Sequence, residues 1–93
     1  VLEKRGDVAA SLYSGISYME IDKYRKANES FEDVIEDQDN LFLHQAKWYM
    51  SMCYLKLDDK DKALSLLGDL SGNDGYYGKK AREVSKKLKA VNE

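Results

Sequence analysis

His44 and Cys53 are the only histidine and the only cysteine in the 93-residue chain, so a thiol nucleophile paired with an imidazole base would have to come from these two. Nine positions along one helix set them about 180° apart, and they cannot meet. Cys53, inside M50-S-M-C-Y-L55, is expected as a small buried apolar residue, and His44, near a helix start, as a surface one. The run D58-D-K-D61 has the acidic density of a calcium loop. Lys60 and Lys62, however, stand where alternate oxygens are needed, and no central glycine follows, so a helix cap is the better assignment. Glu29, Glu32, Asp33 and Glu36 fall on one solvated helix face and make no acid–base pair. HExxH, Walker, GxGxxG and CxxC patterns are all missing. The chain is therefore expected to be no enzyme, with no metal and no cofactor.

The elements that carry these residues are helical. The sequence has no proline, and four of its six glycines cluster between Gly68 and Gly78. Long segments free of both breakers favour an all-α fold. A hydrophobic fraction of 43% with 34% charged residues describes an ordered domain, and 93 residues make a single small one, residues 1–93. The net charge of −2 weighs against general binding to nucleic acid or anionic membranes. No apolar run approaches the roughly 20 residues of a membrane span, and no signal-peptide pattern appears, so no direct membrane insertion is expected. The start at Val1 without methionine leads us to expect a piece processed or excised from a longer chain. One cysteine cannot form an internal disulfide, which leaves the compartment unknown.

One segment is apolar on more sides than a surface helix needs. In A46-K-W-Y-M-S-M-C-Y-L-K-L57 only Lys47, Ser51 and Lys56 are left to face water. The cover comes from a repeat. Shifting the chain by 36 residues aligns Ala10–Ile35 with Ala46–Ser71, and seven of the 26 pairs are identical: Ala10/Ala46, Tyr13/Tyr49, Tyr18/Tyr54, Asp22/Asp58, Lys26/Lys62, Ala27/Ala63 and Asp33/Asp69. Chance would give about two at ordinary residue usage. Leu12/Trp48, Ile16/Met52, Met19/Leu55, Phe31/Leu67 and Val34/Leu70 keep their apolar character. Each copy predicts two helices at 3.6-residue spacing, joined by a tight turn at Asp22-Lys23 or Asp58-Asp59. Aspartate suits such a turn because it tolerates left-handed backbone and caps the next helix. Repeat one spans about 8–38 and repeat two about 41–71, separated by the polar link Glu36–Asn40. After the break S71-G-N-D-G75 comes a fifth helix, about 75–91, with Tyr77, Ala81, Val84, Leu88 and Val91 on one stripe.

Gly15, Tyr18, Asp22, Tyr24, Ala27 and Phe31 together resemble the tetratricopeptide repeat (TPR), and Ser51, Tyr54, Ala63 and Leu67 repeat that pattern less strictly. The resemblance covers about residues 8–71. It departs in having aspartate at the turn glycine, no proline near Asp39-Asn40, and a period of 36 against the family's 34. It implies a right-handed superhelical array of helical hairpins, about five helices, in which small residues let paired helices approach and the last helix is a solvating cap.

The resemblance also implies a function. In the family the first helix of each pair lines a concave groove. Carried over, this gives a wall of Leu12, Tyr13, Ile16, Met19, Trp48, Tyr49, Met52 and Leu55, with Val84, Leu88 and Val91 in register on the last helix. A stripe at this spacing serves a core as readily as a groove, and Leu12 and Leu55 are the members most expected between helices. The family's charge clamp for acidic tails needs lysine, arginine and asparagine at these places, and here they are apolar. The expected role is a protein–protein interaction scaffold for an apolar or amphipathic protein or peptide segment, helped by the adaptable methionines. The alternative is a structural or self-association domain, such as a homodimer, whose apolar surface is covered by another copy or by the rest of its parent chain. The basic last helix is expected to be a solvated cap face. Resemblance to repeat proteins of bacterial envelope-associated assemblies implies an anchor in a longer chain, with a cytoplasmic setting as the other option.

Overall fold

The computed structural model of the chain describes residues 8–37 and 40–91, and the described residues form five α-helices with no strand. They are α1 (Val8–Glu20), α2 (Tyr24–Glu36), α3 (Leu43–Lys56), α4 (Lys60–Ser71) and α5 (Tyr76–Val91). Consecutive helices pack as neighbours, and α3 also touches α1 and α5. Principal extents of 47 × 29 × 17 Å make an elongated stack about two helix layers thick. The middle of the polar link, Gln38 and Asp39, lies outside the described residues.

The two intra-hairpin turns share one hydrogen-bond pattern. In the first, Lys23 N–H donates to Tyr18 C=O at 2.9 Å and Asp22 N–H to Met19 C=O at 3.0 Å. In the second, Asp59 N–H donates to Tyr54 C=O at 2.8 Å and Asp58 N–H to Leu55 C=O at 3.2 Å. This is the Schellman ending, which needs one residue in the left-handed region to reverse the chain after the helix. Asp22 (φ 62°) and Asp58 (φ 65°) supply it, as the sequence leads one to expect. The caps are less symmetric than expected. Asp59 accepts from Lys62 N–H at 3.3 Å and caps α4, whereas Lys23 at the matched place gives α2 no side-chain cap. Asp22 instead accepts the Tyr24 hydroxyl at 2.8 Å. The inter-repeat link is tied by Asn40, whose amide donates to Val34 C=O at 2.9 Å and to Asp37 C=O, while its Oδ1 accepts from Phe42 N–H at 2.7 Å.

The core runs along the stack in two parts. Leu12 of α1, Ala27, Phe31 and Val34 of α2, and Ala46, Met50 and Cys53 of α3 form the first. Leu67 and Leu70 of α4 with Ala81 of α5 form the second, and Trp48 and Met52 of α3 pack against it. Helix α3 sits between both, which is why its sequence is apolar on nearly every side. Gly15 shows how closely α1 and α2 approach: a Cβ there would lie 2.4 Å from the Phe31 ring. Gly78 does the same for α4 and α5, where a Cβ would meet backbone, 2.0 Å from Asn73 C=O. Arg82 secures that joint by donating to Ser71 C=O at 2.8 Å and Asn73 C=O at 2.9 Å, carbonyls left open by the end of α4.

Candidate interaction surface

The first helices of the two hairpins, α1 and α3, carry the eight residues that sequence pattern assigns to a groove wall. Six of them are half-buried: Ile16, Met19 and Tyr49 beside the first core, Trp48 and Met52 beside the second, and Leu55 near the end of α3. Leu12 departs from the wall. At 1% exposure it is a core residue, closed in by α2 and α3, and has no surface to offer a ligand. Tyr49 is occupied within the stack, its ring 5.8 Å from that of Phe31 and nearly parallel to it. Tyr13, one repeat earlier, is 63% exposed.

The last helix packs beside Trp48 and Met52. Tyr77 lies 6.2 Å from the Trp48 ring, and Val84 and Leu88 pack against the same core cluster as Trp48. The side chain of Val91 is outside the described ones. Beyond them the Lys80 ammonium sits 5.5 Å from the Trp48 ring centre and 5.2 Å from that of Tyr76, which meets Tyr77 edge-on at 5.0 Å. A cation over an aromatic face gains about 0.5–1 kcal/mol at an exposed site. Sequence reading treats the basic residues of α5 as a solvated face and so passes over Lys80. The signal for it was the i, i+4 spacing of Tyr76 and Lys80, which puts both on one side of the helix. Burial, with Tyr49 and Tyr76 nearby, pushes the Tyr77 phenol above its ordinary value.

A cleft of about 240 Å³ lies between α2 and the α3–α4 turn, lined by Arg25, Asn28, Tyr54, Leu57, Asp59 and Lys62. Lys62 lies 5.6 Å from the Tyr54 ring centre and 3.7 Å from the Asp59 carboxylate, an exposed pair worth little. Asn28 is 7% exposed, and neither its Nδ2 nor its Oδ1 has a hydrogen-bond partner.

The residues with chemical potential are dispersed. Cys53 is fully buried, and burial pushes its thiol up to about 11, so it stays protonated at neutral pH and is no nucleophile. His44 is exposed, with Nε2 2.9 Å from the Asn73 amide. Glu29, Glu32, Asp33 and Glu36 all face solvent. Among the described residues no group of three or more His, Cys, Asp or Glu is placed to hold a metal ion. Nor is any described helix long and apolar enough to cross a membrane.

What these features share is the hairpin unit: the left-handed aspartate turn, the close helix pair at Gly15, and apolar side chains repeated every 36 residues on α1 and α3. No curated protein and no solved structure matches the chain. The sequence profile described as Tetratricopeptide repeat matches residues 9–40 and 45–73, about two thirds of the chain and both hairpins. The chain belongs to the tetratricopeptide repeat family.

Proposed function

We propose that this domain is a non-catalytic scaffold that binds an apolar or amphipathic protein segment along Ile16, Met19, Trp48, Met52 and Leu55. One observation carries the reading. Four of these side chains occupy matched places on the two first helices, Ile16 with Met52 and Met19 with Leu55; all five, Trp48 included, are apolar and only half-buried beside the two core clusters. A half-buried Ile, Met or Trp retains apolar area that a ligand can remove from water, at about 25 cal/mol per Å². Methionine adds adaptability, because its flexible thioether conforms to differently shaped apolar partners. Charge-directed recognition of an acidic tail has no clamp among these five residues.

Trp48 is the only tryptophan in the chain and reports on its own surroundings. Titrating the domain with an amphipathic Leu/Lys helical peptide should shift Trp48 emission saturably. Met19→Glu should remove the shift while leaving the thermal melt nearly unchanged, because a carboxylate at a half-open site keeps its water. A shift that survives Met19→Glu would place the peptide elsewhere. If the emission responds to protein concentration alone, the wall serves self-association.

A further inference from the structure

Repeat symmetry exposes a second surface, at the opposite edge of the stack from α5. On α3, the residues that face α2 are Ala46 (0% exposed), Tyr49, Met50 (2%) and Cys53 (0%), packed in one core with Phe31 and Val34. Thirty-six residues earlier, α1 carries Ala10, Tyr13, Ser14 and Ser17 at the matched places, and all four are exposed. The same positions are core in one hairpin and surface in the other, because among the described residues only α3 has a hairpin stacked ahead of it.

We propose that this face of α1 is the docking surface for the second helix of a further helical hairpin, joined ahead of Val8 in the same polypeptide and set on α1 as α2 is set on α3. Three features of the chain support it. First, α1 has no charged residue from Val8 to Met19, whereas the exposed positions of α5 include Lys79, Arg82, Glu83, Lys86, Lys87 and Lys89. A terminal repeat needs a polar outer face; that of α5 is charged, whereas the matched face of α1 carries only serine and tyrosine hydroxyls beside Ala10. Second, Tyr13 repeats Tyr49, the residue that stacks on Phe31, so it stands ready for an aromatic on the incoming helix with a β-branched residue one turn on, as Phe31 and Val34 are arranged. Third, burying Ser14 and Ser17 strands no hydroxyl. Two helical serines already show the alternative, donating to the carbonyl four residues back: Ser51 to Lys47 C=O at 2.8 Å and Ser71 to Leu67 C=O at 2.7 Å. Direction fixes the source. The helix that covers α3 precedes it in the chain across a short link, and the helix that covers α1 is placed the same way.

The chain supplies its own probe. A second copy of the unit Val8–Leu43, inserted between Asp7 and Val8, restores the register and offers an α2-like helix to α1. The extended chain should melt in one transition, about 5 °C or more above the original, and the amides of the original α1 should gain hydrogen-exchange protection. Ser14→Glu in the original α1 should cancel both gains in the extended chain yet leave the melt of the 93-residue chain within about a degree, since Ser14 faces water there. Two separate transitions, or unchanged protection of α1, would overturn the proposal. So would a dimer of the 93-residue chain in sedimentation that Ser14→Glu dissolves, because the occupant would then be a second copy.

Discussion

The two hairpins solve one packing problem with different residues. Repeat one brings α1 against α2 by removing a side chain altogether: Gly15 faces Phe31, with no room for a Cβ. Repeat two has Ser51 and Leu67 at the matched places, both fully buried, so a smaller partner goes with a larger small residue. The sum of the two volumes is what the hairpin conserves, as expected where interiors pack like organic solids and a single methylene is felt. Neither residue is interchangeable between the repeats on its own.

This trade is open to a direct break. Gly15→Ser places an atom 2.4 Å from a ring that is itself buried and stacked on Tyr49. Serine is the better helix former by a few tenths of a kcal/mol, but overpacking should outweigh that and destabilise repeat one by about 3 kcal/mol. Adding Phe31→Leu recreates the Ser51/Leu67 pair and should recover about 1–2 kcal/mol, seen as a coupling in a double-mutant cycle from urea melts. Ser51→Gly, the reverse exchange in repeat two, should cost only about 1 kcal/mol, for lost helix propensity and the hydroxyl bond to Lys47. Additive costs without coupling would show that the two hairpins close independently of these pairs.

A second difference lies at Asn28 and Leu64. The matched place is polar in repeat one and apolar in repeat two, and the buried Asn28 amide has no partner for its donor or its acceptor. A buried unsatisfied group costs about 1–3 kcal/mol. Asn28→Leu, which copies repeat two into repeat one, should therefore raise stability by about 1–2 kcal/mol in a chemical melt. A loss of stability instead would show that the amide is held in solution by a water or ligand seated in the cleft beside Arg25 and Tyr54.

How much of this was legible in the sequence follows from the same comparison. The five helices, the 36-residue period, the left-handed aspartates and the small residues at close contacts are local or repeated signals, and one chain displays them. Burial is different, because it depends on which neighbour a helix has. Leu12 and Trp48 are matched places, yet Leu12 is closed into the first core while Trp48 stays half-open beneath α5. Tyr13 and Tyr49 are identical residues at matched places, and only one has an aromatic to stack on. A repeat pattern gives each position its direction but not its cover, and so the wall assigned from pattern loses Leu12 and leaves Tyr13 and Tyr49 to contacts along the stack. Capping misled for a chemical reason. The turn residue and the cap are adjacent, Asp58 and Asp59 in one copy, but Asp22 and Lys23 in the other, and lysine has no acceptor with which to cap a helix.

That asymmetry yields the smallest effect and the finest test. Asp22 and Asp58 hold left-handed backbone at nearly equal φ, a conformation glycine adopts without the Cβ penalty of roughly 1–2 kcal/mol. Asp58 has nothing in return beyond the turn itself, so Asp58→Gly should stabilise the domain by about 1 kcal/mol. Asp22 has a compensation: its carboxylate accepts the Tyr24 hydroxyl, a bond repeat two cannot make with Lys60 at the matched place. Asp22→Gly should therefore gain clearly less, about half as much or nothing. The Tyr24 phenol supplies an independent readout. Its bond to the Asp22 carboxylate, the first cause, with burial second, holds the proton and raises its pKa above the ordinary tyrosine value. The bond accordingly contributes below about pH 10 and is lost as pH rises through the raised value. Asp22→Gly should return that phenol toward its ordinary titration in a spectrophotometric scan, while Asp58→Gly leaves it unmoved. Equal gains from the two substitutions, with no change at Tyr24, would mean that the hydroxyl bond is not made in solution and that the two turns are energetically the same.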